Sequence, residues 1–411
     1  MFPLPHEIYF IKSSITSLML SGGKIKPREY GDREGYGVRA LKGGKLGFAY
    51  CSRRDDLGKT LESAAAISKF SPKTGFSFAP KAPIPKVDIY DRRIAEMDEK
   101  QLKEILDSAR NGAEKYSKNV RIIVGASKEE IKLSNSEEFE GEYGDTSVSV
   151  YIEVMDGKGF GYYTNAFTHL PGKYYEMGLH AAEMAKKMRR PRKPEPGEYT
   201  VIAEIEVIDE LIDVLLPSFL GEWKRRGISI LTTKKDEKFF DGKFSIYDDG
   251  TLIGTGSRPF DDDGTPAARM PLVKKGVVRN FTYDRENAAL EGVDRSGQCN
   301  RPGFAVPPGI GYANIEIGTG DYENLEEEFR NALLVYSVQG IHTANRTTGD
   351  FGVEVNAGMT VGKKERAVGG FMLTGNIFNL FKNIKGIEKK AKASGSFFSP
   401  RIAFGNMRVV S

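Results

Sequence analysis

The side chains that most often carry out enzymatic chemistry are sparse in this chain. The sequence has four histidines: His6, His169, His180 and His342. The zinc-protease pattern HExxH needs two histidines one helical turn apart, with the glutamate as general base. His6 and Glu7 begin such a pattern, but Phe10 occupies the place of the second histidine. Each histidine is therefore interpreted as a solvated or hydrogen-bonded ring rather than a metal ligand.

Patterns for nucleophilic catalysis and phosphate binding are also missing from the sequence. There is no GxSxG elbow. The two cysteines, Cys51 and Cys299, are too few for a disulfide framework or a thiolate-rich zinc site, and unreactive thiols are expected. The glycine-containing segment 358–364 lacks phosphate-loop spacing and predicts a hairpin turn. Gly157, Gly159 and Gly161 resemble a dinucleotide fingerprint only loosely, because no helix follows them.

One short acidic string concentrates carboxylates. It consists of Asp261, Asp262 and Asp263, followed by Gly264. Carboxylates are suitable ligands for a hard cation such as Ca²⁺. However, adjacent residues of a strand point to opposite faces, and no further ligands follow at the spacing of a Ca²⁺-binding loop. A polar turn is the favoured interpretation, and a place in a functional groove is the alternative.

Composition limits the classes of partner. The chain has 411 residues, 60 of them basic and 56 acidic, with a net charge of +4. A dedicated nucleic-acid-binding protein usually has a stronger basic excess on one face, so direct nucleic-acid binding is not expected. No apolar run reaches the length of a membrane span, and the N-terminus lacks the segments of a signal peptide. We therefore expect a cytoplasmic protein without a membrane contact.

The hydrophobic pattern predicts an α+β protein with two domains. Residues 8–11, 15–20, 120–124 and 130–133 read as separate short strands, and residues 55–70, 98–116 and 173–188 as helices. The segment 186–197 combines basic residues with three prolines. It predicts a boundary between an N-terminal α/β domain with a mixed sheet (residues 1–190) and a β-rich domain (residues 195–411). The second domain is expected to contain a helix at 209–225, kinked at Pro217, and another at 325–334.

Five strings, in order along nearly the whole chain, form a combined signal. They are Gly35-Tyr36-Gly37-Val38-Arg39-Ala40 with Gly47-Phe48-Ala49, Asn135-Ser136, Phe260-Asp261-Asp262-Asp263-Gly264-Thr265-Pro266, Asn345-Arg346-Thr347-Thr348-Gly349-Asp350-Phe351, and Gly370-Phe371-Met372-Leu373-Thr374-Gly375-Asn376. Together they resemble the TldD/PmbA family, whose members were first described as modulators of DNA gyrase and later as metalloproteases. The resemblance implies a C-terminal TldD/PmbA-type domain with a barrel-like or highly curved sheet.

The family has two kinds of member, and this chain is similar to one of them. In the TldD type, an HExxxH helix and a cysteine near the C-terminus hold zinc. The corresponding section here, residues 215–220, contains no histidine, and the tail at 397–406 contains no cysteine. The chain therefore resembles the TldE (PmbA) type, which lacks zinc. It also begins later than the family pattern, without room for a helix before the first strand.

This resemblance implies a subunit with no catalytic residue, metal ligand or cofactor of its own. Its expected partner is a TldD-type catalytic subunit whose zinc cleaves peptides or unfolded polypeptides, and peptide is expected to be held by strand addition. Two alternatives stay open. One is a homo-oligomeric binding or scaffold protein, and the other is a modulator of DNA gyrase that acts on DNA topology.

The candidate substrate-groove residues lie in the last two strings. They are Asn345, Thr348, Gly349, Asp350, Phe351 and Asn376. Glycine between strand-like runs permits a close approach of backbone or ligand, which favours a groove. An ordinary turn between strands is the alternative interpretation.

Overall fold

The N-terminal half of the molecule is a six-stranded sheet with helices. The computed structural model describes residues 4–294, 297–362 and 364–410. The elements of this half are β1 (His6–Ser21), β2 (Lys24–Lys42), β3 (Lys45–Cys51), α1 (Leu57–Ile67), α2 (Arg92–Ala95), α3 (Glu99–Ala113), β4 (Asn119–Asn135), β5 (Glu140–Asp156), β6 (Gly159–Phe167) and α4 (Tyr174–Lys187).

The strand order of this sheet is β3-β2-β1-β4-β5-β6, and every neighbouring pair is antiparallel. The sequence predicts a mixed sheet here, which is wrong in this detail. Tight turns connect β1 to β2, β2 to β3 and β5 to β6, and such hairpins impose antiparallel pairing. The separate short strands predicted at 8–11 and 15–20 form one continuous strand, β1, and those at 120–124 and 130–133 form β4. Polar residues interrupt the hydrophobic pattern there without interrupting the backbone pairing.

The two faces of the sheet have different neighbours. Helix α1 packs against Val38 and Ala40 of one face, and α3 and α4 pack against Leu18 and Val124 of the same face. The opposite face, here called the inner face, carries Glu7, Tyr9 and Ser13 of β1 and meets the C-terminal half of the chain.

The glycine string at 157–161 has a packing role. A Cβ at Gly159 or Gly161 would lie 2.1 Å from a carbonyl oxygen of α4, so both glycines let the helix lie directly on β6. Close packing of a helix on a strand therefore explains these two glycines.

The C-terminal half consists mainly of strands. Its elements are β7 (Gly197–Ala203), α5 (Ile205–Leu215), α6 (Gly221–Arg225), β8 (Ile246–Asp249), β9 (Arg269–Lys274), β10 (Val277–Val278), α7 (Arg285–Glu291), β11 (Cys299–Asn300), β12 (Gly309–Ile310), β13 (Ile315–Ile317), α8 (Leu325–Glu328), β14 (Leu333–Gln339), β15 (Asp350–Thr360), β16 (Ala367–Val368), β17 (Phe371–Asn376), α9 (Ile377–Lys382), β18 (Ile384–Ser394) and β19 (Phe397–Val410).

Five of these strands close into a barrel. The pairing runs β7-β14-β15-β17-β19 and returns from β19 to β7. The largest core cluster contains inward residues of these strands together with the apolar side of α5, including Ile208, Leu211 and Leu215. The predicted α+β class with a barrel-like C-terminal sheet is confirmed.

Two predicted helices of this half differ from the structure. The helix expected at 209–225 begins earlier, at Ile205, and ends at Leu215; a 3₁₀ turn containing Pro217 separates it from α6. The expected interruption at Pro217 is thus confirmed. The helix predicted at 325–334 is wrong beyond Glu328, because Leu333 to Val335 pair with β7 inside the barrel. Among the described residues, no helix has the length and apolar content needed to span a bilayer.

Candidate functional site

Two of the strings singled out in the sequence meet in a buried ionic cluster. Arg39 of β2 donates from Nε and Nη2 to the two carboxylate oxygens of Glu7, at 2.9 and 2.7 Å. The same Nη2 lies 2.6 Å from Oδ1 of Asp263 in the acidic string. Arg39, Glu7 and Asp263 are at most 3% exposed. The cluster therefore ties the inner face of the N-terminal sheet to the C-terminal half.

Three further arginines complete this cluster. Arg301 pairs with Glu7 and donates from Nη2 to the Asp262 carbonyl oxygen at 2.9 Å. Arg258 donates to the carbonyl oxygen of Cys299 at 3.0 Å, and Arg285 donates its backbone N–H to Asp263 at 2.8 Å. Because these contacts combine ion pairs with backbone hydrogen bonds, they offset much of the cost of burying the charges.

The acidic string forms a turn, as favoured from the sequence, but the turn is buried. Oδ1 of Asp261 accepts hydrogen bonds from the backbone N–H groups of Asp263 (3.0 Å) and Thr265 (2.8 Å). Gly264 has φ +76°, and a Cβ there would lie 2.9 Å from Ala79, so glycine suits this position.

Burial raises the pKa of Asp261 to about 7, with Asp263 adding to the effect. Burial also raises the pKa of Asp262 and of the Cys299 thiol. Burial acts in the same direction on Asp263, but Arg39 and the Arg285 backbone N–H hold the pKa of Asp263 below its ordinary value. The acidic string thus joins the C-terminal half to Arg39 of the N-terminal sheet. Among the described residues, no three His, Cys, Asp or Glu side chains are placed to hold a metal ion.

The second group of candidates comes together at the start of β15. Asn376 donates from Nδ2 to the Thr348 carbonyl oxygen and to Oδ1 of Asp350, both at 2.8 Å. The Thr348 hydroxyl donates to Oδ2 of Asp350 at 2.7 Å, and these two hydrogen bonds lower the pKa of Asp350. The Asn345 side chain accepts from the Thr348 N–H at 3.0 Å. The structure therefore joins four of the six predicted groove residues through side-chain hydrogen bonds.

The other two candidates have different surroundings. Gly349 has φ +82°, donates its N–H to the Asn345 carbonyl oxygen at 2.7 Å and accepts from the Ile377 N–H at 2.8 Å. Phe351 is buried in the core, where its ring packs against Gly375. Phe351 thus anchors the strand, whereas Thr348 and Asp350 are exposed.

An acidic side of α5 next to this turn was not singled out from the sequence. Arg346 donates to Oδ2 of Asp213 at 2.8 Å, which joins the turn to the helix. The helix also carries Glu206, Asp209 and Glu210. The signal was available, because these four carboxylates have the i, i+3, i+4, i+7 spacing of one helix face.

Comparisons with known proteins agree with this architecture. The model of the PmbA/TldA metallopeptidase C-terminal domain matches residues 196–411, and that of domain 1 matches residues 6–68. An uncharacterised protein of Methanocaldococcus jannaschii is 30% identical over 409 residues, which cover 97% of this chain and 94% of that protein. The chain belongs to the PmbA/TldD family.

Other members and solved structures extend the likeness. A protein of Methanothermobacter thermautotrophicus named metalloprotease is 25% identical over 91% of this chain and 86% of its own length. A putative modulator of DNA gyrase from Thermotoga maritima superposes with a TM-score of 0.91 at 20% identity, covering 99% of this chain and 96% of that one. TldE from Thermococcus kodakarensis gives 0.88 at 21% identity, covering 99% and 97%. These two structures share the fold.

Within this PmbA/TldD-family chain, the end of α5 and the 3₁₀ turn after it, residues 215–220, pack mainly through apolar side chains. Leu215 and Phe219 are fully buried in the C-terminal core. The hydroxyl of Tyr312 donates to the Leu216 carbonyl oxygen at 2.7 Å and covers the end of α5. The side chains present at residues 215–220 do not fit a zinc ion, because none of them offers a nitrogen, carboxylate or thiolate ligand.

Proposed function

We propose that this chain is the non-catalytic, TldE-type subunit of a heteromeric TldD/TldE zinc metallopeptidase that degrades or processes peptides and unfolded polypeptides. The observation that carries the proposal is that residues 215–220 include no histidine, carboxylate or cysteine, and that Leu215 and Phe219 among them are fully buried. A zinc peptidase needs a metal-activated water and a general base. Neither belongs to this section of the chain, so the zinc and the hydrolysis belong to a TldD-type partner.

The names of the similar proteins support this assignment. Relatives from Methanothermobacter thermautotrophicus and Archaeoglobus fulgidus are named metalloproteases, and one solved structure of the same fold is named TldE. The proposal rests on two findings together: membership of a metallopeptidase family, and the lack of zinc-ligand side chains at residues 215–220. Family membership alone would equally suit a catalytic subunit.

The turn joined by Asp350 and Asn376 is the proposed contribution of this chain to the substrate groove. Its hydrogen-bonding groups lie where β15 begins, at Asp350, and where β17 ends, at Asn376. An extended peptide that adds to a strand is recognised through its backbone, which suits a peptidase with many substrates. In this proposal the chain orients the peptide, and the TldD-type partner cleaves it.

The test combines metal content with activity. The tag-free chain, the TldD-type protein of the same organism and their mixture are assayed on casein and short peptides, with and without a chelator. We expect no stoichiometric zinc and no hydrolysis from this chain alone, and a stable complex with chelator-sensitive activity from the mixture. Chelator-sensitive hydrolysis by this chain alone, with one zinc per chain, contradicts the proposal.

Size-exclusion chromatography with light scattering separates the remaining possibilities. Co-elution of the two proteins supports the heteromeric complex. A homodimer that ignores the TldD-type protein would favour a scaffold instead. Binding of the chain to duplex DNA with a steep dependence on salt would favour a role in DNA topology.

A further inference from the structure

One side of the N-terminal sheet ends in a strand with an unpaired edge. Within the described residues, β6 is the last of the six strands and pairs only with β5. The two-residue turn at 157–158 joins these strands, so the pair beside the turn, Asp156 and Gly159, is hydrogen-bonded, and hydrogen-bonded pairs alternate from there. The backbone groups that point away from β5 therefore belong to Phe160, Tyr162 and Thr164.

This outward edge is closed at one end and open along the rest. At Ala166, the next outward residue, the N–H donates to Oδ1 of Asn165 at 2.8 Å. The same Oδ1 accepts from the Gly395 N–H, and Nδ2 donates to the Ala393 carbonyl oxygen, both at 2.9 Å, so the β18–β19 hairpin covers this end. The three outward residues before it form no backbone hydrogen bond on this side with any described residue. The open edge is thus formed by residues 160–164.

Strand β6 also lacks the features that protect a free strand edge. Charged side chains, proline and bulges on an edge strand prevent pairing with other chains. Residues 159–167 contain neither charge nor proline, and the β5–β6 register has no bulge. The same sheet has a second free edge where β2 extends beyond β3, and it carries Pro27, a bulge and the charges of Asp32, Arg33 and Glu34. The contrast between the two edges indicates that β6 is the one open to a partner strand.

Helix α5 begins beside the open edge. The Tyr162 hydroxyl donates to the Tyr336 carbonyl oxygen at 2.9 Å. The preceding carbonyl oxygen of β14, that of Val335, accepts from the N–H of Glu204 at 3.1 Å, and Glu204 directly precedes α5. Two consecutive residues of β14 therefore hold β6 and the start of α5 next to each other.

The first two turns of α5 bring carboxylates without a counter-ion to this place. Glu206 and Glu210 lie one helical turn apart, and neither forms an ion pair with a described residue. Glu204, by contrast, pairs with Lys392 at 2.6 Å. Burial raises the pKa of Tyr162, and the carboxylates of Glu206, Glu204 and Glu210 raise it further, in agreement with their position beside β6. An occupant of the open edge therefore meets uncompensated negative charge.

We propose that the open edge of β6, at residues 160–164, binds an extended basic segment of polypeptide by strand addition. The backbone of the segment pairs with the outward groups of β6, and its lysine or arginine side chains on the barrel side approach Glu206 and Glu210. A second copy of this chain suits the place less well, because its own β6 would bring no cation to these carboxylates. The proposal rests on the function proposed above in taking a peptide substrate as the occupant, but the binding belongs to this chain alone.

Fluorescence anisotropy of labelled, end-blocked hexapeptides with the full chain tests the proposal. The first peptide alternates lysine with valine, the second has glutamine in place of lysine, and the third has glutamate. We expect the lysine peptide to bind most tightly, the glutamine peptide more weakly and the glutamate peptide not at all. Added salt should weaken binding of the lysine peptide more than binding of the glutamine peptide, because it screens exposed charges.

Methylation of alternate backbone nitrogens of the lysine peptide separates strand addition from simple charge attraction. The change removes the N–H donors along one edge of the peptide and leaves its charge unaltered. A strand added to a free edge uses only one of its own two edges. Methylating one set of nitrogens should therefore abolish binding, whereas methylating the other set should preserve it. Equal affinity of the two methylated peptides contradicts strand addition.

A proline variant with a matched control locates the binding on β6. Thr164→Pro removes an outward N–H without removing a hydrogen bond to β5, and it should weaken binding of the lysine peptide about tenfold. The control is Asp32→Pro, because the N–H of Asp32 points away from β1 on the other free edge of the same sheet. It should leave the affinity unchanged, and thermal unfolding is measured for both variants.

A charge variant tests the contribution of α5. The double substitution Glu206→Gln with Glu210→Gln should weaken binding of the lysine peptide about fivefold and leave binding of the glutamine peptide unaltered. Glu104→Gln is the control, because Glu104 is an exposed carboxylate of α3, a helix that packs against β1 and β4. It should not change the affinity for either peptide.

The outcomes separate this inference from the proposed function. No binding of the lysine peptide, or equal affinity in Thr164→Pro and Asp32→Pro, overturns the inference. A homodimer in light scattering that Thr164→Pro dissociates would assign the edge to a second copy and also overturn it. If the chain binds the lysine peptide but forms no active complex with a TldD-type protein, the inference holds and the proposed function fails. Chelator-sensitive cleavage by the pair without peptide binding to β6 refutes the inference alone.

Discussion

Removing the buried guanidinium of Arg39 should destabilise the protein far more than removing an exposed cation from the same sheet. Arg39 is 3% exposed and contacts Glu7 and Asp263, and its guanidinium lies 5.2 Å from the ring centre of Phe76. Methionine at this position keeps much of the volume and removes the charge. Glu7 would retain Arg301, whereas Asp263 would lose its ion pair with Arg39 and keep the hydrogen bond from the Arg285 backbone N–H.

The expected loss follows from that unpaired carboxylate. Breaking a buried ion pair by removing one partner typically costs about 3–5 kcal/mol. For a chain of this size, such a loss moves the midpoint of urea unfolding by about 1 M. The matched control is Lys12→Met, because Lys12 also pairs across β1 and β2, with Glu34 at 3.1 Å, but its side chain is 59% exposed. Exposed pairs contribute little, so the control should barely move the midpoint.

Two signals make the assay informative about the two halves of the molecule. The single tryptophan, Trp223, lies in α6 of the C-terminal half, whereas circular dichroism reports both halves. We expect Arg39→Met to lower both midpoints, because the cluster joins both halves. If Arg39→Met and Lys12→Met shift the midpoints equally, the buried ionic cluster does not stabilise the contact between the two halves.

Two further predictions concern single contacts. Gly47→Ala should destabilise the protein by about 1–3 kcal/mol, because a Cβ there would lie 1.9 Å from the Ala64 carbonyl oxygen of α1. Thermal unfolding measures this loss. The control, Gly58→Ala, should have little effect, because the space around Gly58 is open. Asp350→Ala should lower peptide cleavage by the reconstituted pair without changing unfolding of this chain, because the Asn376 side chain loses its 2.8 Å carboxylate partner. Unchanged cleavage and assembly would remove Asp350 from the groove.

Local sequence patterns predicted where helices and strands lie better than they predicted how far each strand extends. Helices α1, α3 and α4 follow from apolar spacing, and α3 also begins with a capping box in which Asp98 and Gln101 exchange hydrogen bonds. The long strands β1 and β4 were split in the prediction, because polar residues on the inner face interrupt the alternation. Segment 325–334 was mistaken for a helix because its apolar spacing suits one, while β7, more than a hundred residues earlier, pairs with Leu333.

The two candidate sites differ in the same respect: one is held by contacts between residues close in sequence, and the other by residues far apart in sequence. Asn345, Thr348 and Asp350 were singled out by the family resemblance and the glycine between them, and the hydrogen bonds that join these three residues are local in sequence. The burial of Asp261, Asp262 and Asp263 could not be read from the string itself, because the guanidinium that pairs with Asp263 belongs to Arg39. A run of carboxylates reads as a solvated turn unless its distant arginines are known.

The surroundings of residues 215–220 show whether this section could line a catalytic cavity. A catalytic zinc must keep one coordination position open to water or substrate, so the helix that holds it has to face a cavity. Here Phe219 and Leu215 are fully buried, and Tyr312 covers the end of α5 through the Leu216 carbonyl oxygen. The section stabilises the C-terminal core instead of lining an opening. The proposed peptide contact therefore uses exposed groups beside α5, at Thr348 and Asp350, and not the buried section itself.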